Sequence, residues 1–192
     1  SVELDLRAQV DTLAGLLAQA HVVLLGYRPG SMDRFGLHPD VVAEHFPHLI
    51  IGSLSAWGDH GPWGDRAGFD SIVQAATGIA DLYRGHEGPP GALAVQALDH
   101  ATGYQLAAHV IGLLVEARTG TVRTSLLGAA RTLLAMPLGD RSPMRTQAPL
   151  TETIPSPYGH LDLVPSPLLR DDATVTAPMA RYGGAEPTFT TA

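Results

Sequence analysis

The feature that most constrains the fold is a pair of short apolar runs, residues 21–25 and 49–54, each placed after a segment predicted to be helical. The preceding helices are predicted at 11–20 and 40–46. Continuous apolar runs of this length, the first one stopped by Gly26, are typical of strands buried on both faces of a parallel sheet. The alternation of helix and strand therefore predicts an α/β fold with a parallel, Rossmann-like sheet.

The segment that follows carries three further predicted helices and one strand. Helices are predicted at residues 70–80, about 99–118 and 127–136, and a strand at 121–126 lies between the last two. The helix at about 99–118 is the clearest element, with Thr119-Gly120 as its expected end. Its apolar residues spread over more than one face, so we expect a long helix that is buried on several sides.

The composition of the chain changes after residue 136. Nine of the 15 prolines lie from Pro137 onward, and proline disrupts helix interiors and central strands. We therefore predict an α/β core over 1–136 and an extended, proline-rich C-terminal arm over 137–192. One edge strand is expected within the arm at 161–164, and the arm itself is expected to lie across another surface.

The composition also excludes several classes of function. The chain has no cysteine and its 12 basic residues are all arginine, which excludes thiolate nucleophiles, Schiff-base lysines and P-loop lysines. The net charge of -7 argues against nucleic acid as a partner, and no apolar run is long enough to span a membrane. The nine histidines lack metal-ligand spacing, so no metal site is predicted. With no secretory leader recognised, we expect a cytoplasmic protein.

Asp99 is the most informative single residue because it lies where the long predicted helix begins. A carboxylate there is a favoured N-cap, and Thr102 three residues on suits that geometry. The same position suits a carboxylate nucleophile, because a helix N-terminus stabilises negative charge and keeps the group ionised. The residues alone leave both interpretations open.

A loop with two arginines, residues 26–37, directly follows the first apolar run. Ligands of α/β sheets bind beyond the carboxyl ends of strands, and a guanidinium matches the oxygens of an anion such as phosphate. Arg28 and Arg34 therefore predict an anion site. The alternative is a surface turn in which Pro29-Gly30 only reverses the chain.

A third segment, residues 58–70, is rich in glycine and predicts a loop whose backbone N–H groups can reach a ligand. An acid–base pair of Asp59 and His60 is disfavoured, because adjacent side chains seldom face each other. Trp57 and Trp63 are expected to pack against other side chains. His109 is expected to be a core or interface histidine.

Together these segments resemble the family III CoA-transferases, the group that includes formyl-CoA and carnitine CoA-transferases. Residues 94–114 around Asp99 resemble the segment that carries the family's acyl- and CoA-bearing aspartate, and the 26–37 loop resembles its CoA-contacting loop. Gly61-Pro62 and Gly68-Phe69-Asp70 resemble the next signature of the family. The resemblance covers about residues 1–136, and the chain is similar to a truncated or half-length member.

The resemblance implies an enzyme that moves CoA between an acyl-CoA and a carboxylic acid. Asp99 would form a mixed anhydride and then an aspartyl-CoA thioester, with CoA as substrate and product and without a metal. Phe69 stands where the family's racemases carry histidine, which disfavours two-base racemisation. Five residues are expected to contact CoA: Tyr27, Arg28, Arg34, Gly61 and Arg66.

The resemblance also implies partners beyond the acyl-CoA and carboxylate substrates. Members of the family form interlocked dimers, so a homodimer or a complementary subunit is expected. The alternative function is a non-catalytic CoA-binding or assembly half of a two-part CoA-transferase-like protein. Neither nucleic acid nor a membrane is an expected partner.

Overall fold

The computed structural model describes residues 1–85, 87–137, 148, 150–175 and 179–189 of the chain. These residues form two compact units. The core unit covers Leu13–Leu138, and the terminal unit combines Ser1–Thr12 with the described part of Gly139–Ala192. The domain division predicted at residue 136 stays a prediction, and the first twelve residues belong with the terminal unit.

A parallel sheet of three strands, in the order β1–β2–β3, lies in the core unit. Its strands are β1 (Val22–Leu25), β2 (Ile50–Ser55) and β3 (Gly120–Ser125). The central strand β2 is largely buried, whereas Leu24 on the outer strand β1 is exposed, so only β2 fits the expectation of a strand covered on both faces. The prediction of an α/β fold with parallel strands is confirmed; the Rossmann-like detail stays a prediction.

Helices alternate along the chain with the strands of this sheet, near the positions that the sequence predicts. The described helices are α1 (Val10–Gln19), α2 (Pro39–His45), α3 (Asp70–Ala76), α4 (Ile79–Leu82), α5 (Ala97–Val115) and α6 (Leu126–Ala135). Short 3-10 turns lie at Asp33–Phe35 and Ala94–Gln96. Both α2 and α5 pack against β2 and β3.

Two helix boundaries differ from the sequence prediction for local backbone reasons. The helix predicted at 70–80 breaks into α3 and α4, because Gly78 adopts the left-handed conformation with φ of 82°. The long helix ends at Val115 rather than at 118. Ala117 takes the left-handed turn there, and the N–H of Arg118 donates to the carbonyl of Leu113 at 2.9 Å, which is a Schellman ending.

The helix α5 buries one face in the described chain. Along that face Leu106 and Val110 join Ile50 of the sheet in one apolar cluster. Gly52 permits this close approach, because a Cβ atom there would lie 3.2 Å from Cδ1 of Leu106. The opposite face is not covered as the sequence predicts, since its apolar side chains are exposed: Tyr104, Ile111, Leu114 and Val115.

The terminal unit contains two small antiparallel hairpins. One pairs β4 (Glu152–Ser156) with β5 (Gly159–Leu163), and the other pairs β6 (Leu169–Arg170) with β7 (Ala173–Thr174). The strand predicted at 161–164 corresponds to β5. Its partner β4 escaped prediction because Pro155 lies within it, opposite His160. The proline-rich arm is therefore not a uniformly extended segment. Within the described residues, we find no helix with the length and apolar character required for a membrane span.

Candidate active site

A cavity of about 330 Å³ opens at the carboxyl ends of β1 and β2, where parallel sheets bind ligands. We call it the Asp99 cavity. Its charged lining groups are Asp99, Arg28 and Arg66. Much of the remaining wall is apolar, with contributions from Leu54, Ala56, Phe69 and Leu126. The site thus combines one carboxylate and two guanidiniums with a wall suited to an apolar group.

Asp99 is the third residue of α5 and is held by buried neighbours. Leu98 is 1% exposed and packs in the core cluster that also contains Trp57 and Val73. Thr102 is fully buried, and its hydroxyl donates a hydrogen bond of 2.7 Å to the carbonyl of Leu98. The carboxylate therefore projects into the Asp99 cavity from a turn whose other side is fixed in the core.

The cap of this turn is Asp70, which comes from α3. Its Oδ2 accepts hydrogen bonds from the N–H of Leu98 at 2.8 Å and from the N–H of Asp99 at 3.1 Å. Gln96, the residue before the helix, is left-handed and makes no side-chain cap. The interpretation of Asp99 as the N-cap is therefore wrong, because a separate aspartate already binds the amides of the first turn.

The Asp99 carboxylate is left available for chemistry by this arrangement. Among the described residues, no group donates a hydrogen bond to it. Partial burial raises the pKa of Asp99 above its ordinary value of 3.8, the nearby Asp70 carboxylate raises it further, and His100 partly opposes both effects. The net shift of the pKa is therefore upward, opposite to the direction expected from a helix N-terminus alone. A more basic carboxylate is the stronger nucleophile once it is deprotonated.

Three of the five residues predicted to contact CoA lie on the wall of the Asp99 cavity: Tyr27, Arg28 and Arg66. The Nε of Arg28 donates to the carbonyl of Asp65 at 3.3 Å, which joins the 26–37 loop to the glycine-rich loop. The Arg66 guanidinium lies 5.9 Å from the centre of the Trp63 ring. The structure thus brings two cations near the mouth of the site from two different loops.

The other two predicted contacts do not line this cavity. Arg34 lies in the 3-10 turn with its guanidinium 4.7 Å from the centre of the Phe35 ring. Gly61 lies at a left-handed turn with φ of 91° in the glycine-rich loop. The part of that loop that reaches the cavity is the segment 66–69. Contact with CoA stays a prediction for all five residues.

A polar network missed by the sequence analysis lies beside the 26–37 loop. Arg123 of β3 pairs with Asp40 at the start of α2 and with Asp59 of the glycine-rich loop, the latter at 3.3 Å. Arg123 and Asp59 border a second cavity, of about 80 Å³, which is also lined by Arg28. The partner of Asp59 is thus an arginine rather than His60, in line with the disfavoured acid–base pair.

Two further expectations concern packing. Trp57 is buried and meets the Trp63 ring edge-on with centroids 4.7 Å apart, which confirms its packing role. His109 was expected in a core or interface, but its side chain is exposed in the described chain, so the core interpretation is wrong. Within the described residues, no three potential metal ligands lie together.

The most consequential residues missed by the sequence analysis are Asp70 and Gln74. Asp70 is 2% exposed and Gln74 is 3% exposed, and the Gln74 amide donates a hydrogen bond to Oδ1 of Asp70. A signal was available, since an aspartate followed four residues later by glutamine places both side chains on one helix face. Burial of both could not be read from that spacing.

Comparison with known proteins gives one family and several relatives. The sequence model of the family described as CoA-transferase family III matches residues 1–160. The chain is 36% identical over 115 residues to the probable fatty acyl-CoA transferase Rv3272 of Mycobacterium tuberculosis, covering 60% of this chain and 29% of that protein. It is 37% identical over 75 residues to the succinyl-CoA--L-malate CoA-transferase beta subunit of Chloroflexus aurantiacus, covering 39% and 18% respectively.

The similarity extends to three dimensions. The crystal structure of Rv3272 superposes with a TM-score of 0.64 at 33% sequence identity, covering 70% of this chain and 40% of that one. The chain thus spans less than half the length of the relatives that it matches.

Proposed function

The chain belongs to CoA-transferase family III, and from that premise we propose that it transfers CoA between an acyl-CoA and a carboxylic acid, with Asp99 as the covalent nucleophile. The observation that supports the proposal most strongly is the environment of the Asp99 carboxylate. Its carboxylate faces a largely apolar cavity, has a raised pKa, and accepts no hydrogen bond from the described residues.

The first half of the proposed reaction moves the acyl group and then CoA onto Asp99. A carboxylate oxygen attacks the thioester carbonyl, the C–S bond breaks, and a mixed anhydride and CoA thiolate result. The thiolate then attacks the aspartyl carbonyl of the anhydride. The donor leaves as a free carboxylate, and an aspartyl-CoA thioester remains on the protein.

The second half reverses these steps with a different acid. The acceptor carboxylate attacks the aspartyl thioester, which releases CoA thiolate and forms a new anhydride. The thiolate attacks the acceptor acyl carbonyl, the new acyl-CoA leaves, and the Asp99 carboxylate is regenerated. Each step forms one bond and breaks one, so no net proton, metal or redox partner is required.

The charged wall of the Asp99 cavity supports a role in holding CoA. Arg28 and Arg66 line the same cavity as Asp99, and guanidiniums match phosphate or carboxylate oxygens. Arg34 and Gly61 are proposed to contact parts of CoA that lie outside this cavity. Backbone N–H groups of the glycine-rich loop are proposed to stabilise the oxyanions that form during each attack.

An exchange assay tests the proposal directly. The chain is incubated with an acyl-CoA and an isotopically labelled acid, and labelled acyl-CoA is measured. Asp99→Ala should abolish the exchange, while Asp81→Ala, which removes an exposed aspartate of α4, should leave it unchanged. Exchange at the wild-type rate in Asp99→Ala would contradict the proposal.

A second candidate function is a CoA-binding or assembly half of a two-part protein. It is favoured by one observation, namely that one relative is named as the beta subunit of a CoA-transferase. This candidate predicts CoA binding by calorimetry without any exchange by the chain alone. Restoration of exchange by a separately supplied complementary polypeptide would select it over the single-chain enzyme.

We also propose that the chain assembles with a second polypeptide, most simply another copy. The exposed apolar residues of α5 support this proposal, because a face with Ile111, Leu114 and Val115 is costly to leave in water. A relative named as a beta subunit points in the same direction. Light scattering after size exclusion should give a mass near twice 20.2 kDa or that of a larger complex. A stable species at the single-chain mass would contradict assembly.

A further inference from the structure

We propose that Asp70 is the positioning residue of the reaction: it holds the first turn of α5, and with it Asp99, through a chain of buried hydrogen bonds whose direction is fixed by Gln74. The inference rests on the proposed role of Asp99 as nucleophile. It concerns a residue that touches no substrate and acts only through the main chain of the helix.

The direction of this chain of hydrogen bonds follows from its two ends. At one end the main-chain N–H of Leu93 donates to Oε1 of Gln74 at 2.8 Å. The other end of the Gln74 amide must then be its NH₂ group, which donates to Oδ1 of Asp70. Oδ2 of Asp70 receives the N–H groups of Leu98 and Asp99. Backbone donors therefore lie at both ends, and no amide flip can satisfy them differently.

Residue 70 must consequently accept hydrogen bonds on both of its terminal atoms. A carboxylate does so, whereas a carboxamide of the same shape would point an NH₂ group at the NH₂ group of Gln74. Flipping Gln74 only moves the conflict to the N–H of Leu93. Because both side chains are almost completely buried, water cannot resolve the conflict. The site thus requires aspartate and distinguishes it from asparagine.

These hydrogen bonds fix the position of Asp99, and the carboxylate that accepts them also raises its pKa. The N–H of Asp99 itself is one of the groups held by Asp70, at 3.1 Å, so loss of the bond releases the residue that carries the reacting carboxylate. The charged groups that act on the pKa of Asp99 are Asp70 from α3 and His100 from α5, and Arg28 and Arg66 from the loops line the same cavity. Among these, Asp70 both fixes the position of Asp99 and raises its pKa.

Three variants separate the effect of the position of Asp99 from the effect of the negative charge beside it. Asp70→Asn introduces the conflict between two NH₂ groups. The double variant Asp70→Asn/Gln74→Glu removes it, because a carboxylate at 74 accepts from both Leu93 and the new asparagine. This double variant restores every hydrogen bond and moves the negative charge one side chain further from Asp99. Asp81→Asn serves as the control for an exposed aspartate.

The first readout is independent of activity. Amide hydrogen exchange at Leu98 and Asp99 should become at least about tenfold faster in Asp70→Asn and return toward the wild-type rate in the double variant. The carboxyl titration of Asp99, followed by NMR, should shift to lower pH in the double variant because the like charge is more distant. Unchanged amide exchange in Asp70→Asn, or no recovery in the double variant, would overturn the proposal. Failure of the double variant to fold would overturn it too.

The second readout is the rate of covalent labelling of Asp99 by acyl-CoA. We expect this labelling rate to fall about 10- to 100-fold in Asp70→Asn and to recover in the double variant. In the double variant, the acid side of the pH profile of the labelling rate should lie at lower pH. A double variant with restored amide protection but without recovery of labelling would overturn the positioning role in the reaction. If the wild-type chain itself is never labelled, the proposed function fails, while the amide-exchange readout still decides the role of Asp70 in holding the turn.

Discussion

Replacement of Asp99 by asparagine is expected to stabilise the folded chain at neutral pH. A helix cap would show no such gain, because asparagine caps a helix about as well as aspartate does. In this structure the capping bonds to the first turn come from Asp70, and they go to main-chain N–H groups that the variant retains. The asparagine therefore removes a charge without removing a described hydrogen bond.

The sign of the effect follows from the pKa of Asp99. Its folded-state pKa is raised above the ordinary value of 3.8, by partial burial first and by the Asp70 charge second. The folded chain then binds the proton more tightly than the unfolded chain, so the free energy of unfolding falls as the pH rises above 3.8. The ionised group costs stability at neutral pH. Because Asp99 is exposed to the cavity, we expect the gain on its removal to be a few tenths to about 1 kcal/mol.

Urea denaturation of wild type and Asp99→Asn over a range of pH measures this effect. The gain should be present at neutral pH and should vanish once the pH falls below 3.8, where the carboxyl group is protonated in both states. Asp81→Asn, which breaks an exposed ion pair with Arg84, should show no such gain. An unchanged or lowered stability of Asp99→Asn at neutral pH would refute the reasoning.

Three further variants test the scaffold and the anion site. Gly68→Ala should cost about 1–3 kcal/mol by denaturation, because its Cβ would lie 2.7 Å from the Cβ of Ala56, and unchanged stability would show that the loop segment is not tightly packed. Leu98→Ala should cost about 2–5 kcal/mol, since the side chain is 1% exposed, and a smaller loss would mean that the turn before Asp99 is not anchored in the core. Joint replacement of Arg28 and Arg34 by alanine should weaken CoA binding by at least about tenfold in calorimetry, and an unchanged Kd would mark the loop as a turn only.

The scaffold of the core unit could be predicted from the sequence because its signals are local. Apolar runs at 21–25 and 49–54 predict β1 and β2, and periodicity predicts α5 within a few residues at each end. The boundaries that differ depend on single backbone conformations, at Gly78 and at Ala117. An alanine does not indicate in the sequence that it will adopt the left-handed conformation, so the end of α5 at Val115 could not be predicted. Thr119-Gly120, by contrast, is typical of a helix end.

The candidate site could be predicted only in part, for a different physical reason. The sequence predicts Asp99 as a site residue because it lies where a helix begins, and Arg28 because it follows a strand. The role of Asp70 depends on an interaction with residues 28 and 29 positions further along the chain. Neither that distance nor the burial of Gln74 beside it leaves a periodic pattern in the sequence. The network between Arg123 and Asp59, 64 positions apart, was missed for the same reason.

Covalent acylation of Asp99 can be detected by peptide mass spectrometry after chemical trapping. The chain is incubated with an acyl-CoA, hydroxylamine is added to convert an activated aspartyl group to a hydroxamate, and the modified peptide is sequenced. We expect a hydroxamate on Asp99 that requires acyl-CoA and is absent in Asp99→Asn. A hydroxamate on another carboxylate, or none in a preparation that catalyses exchange, would contradict this expectation.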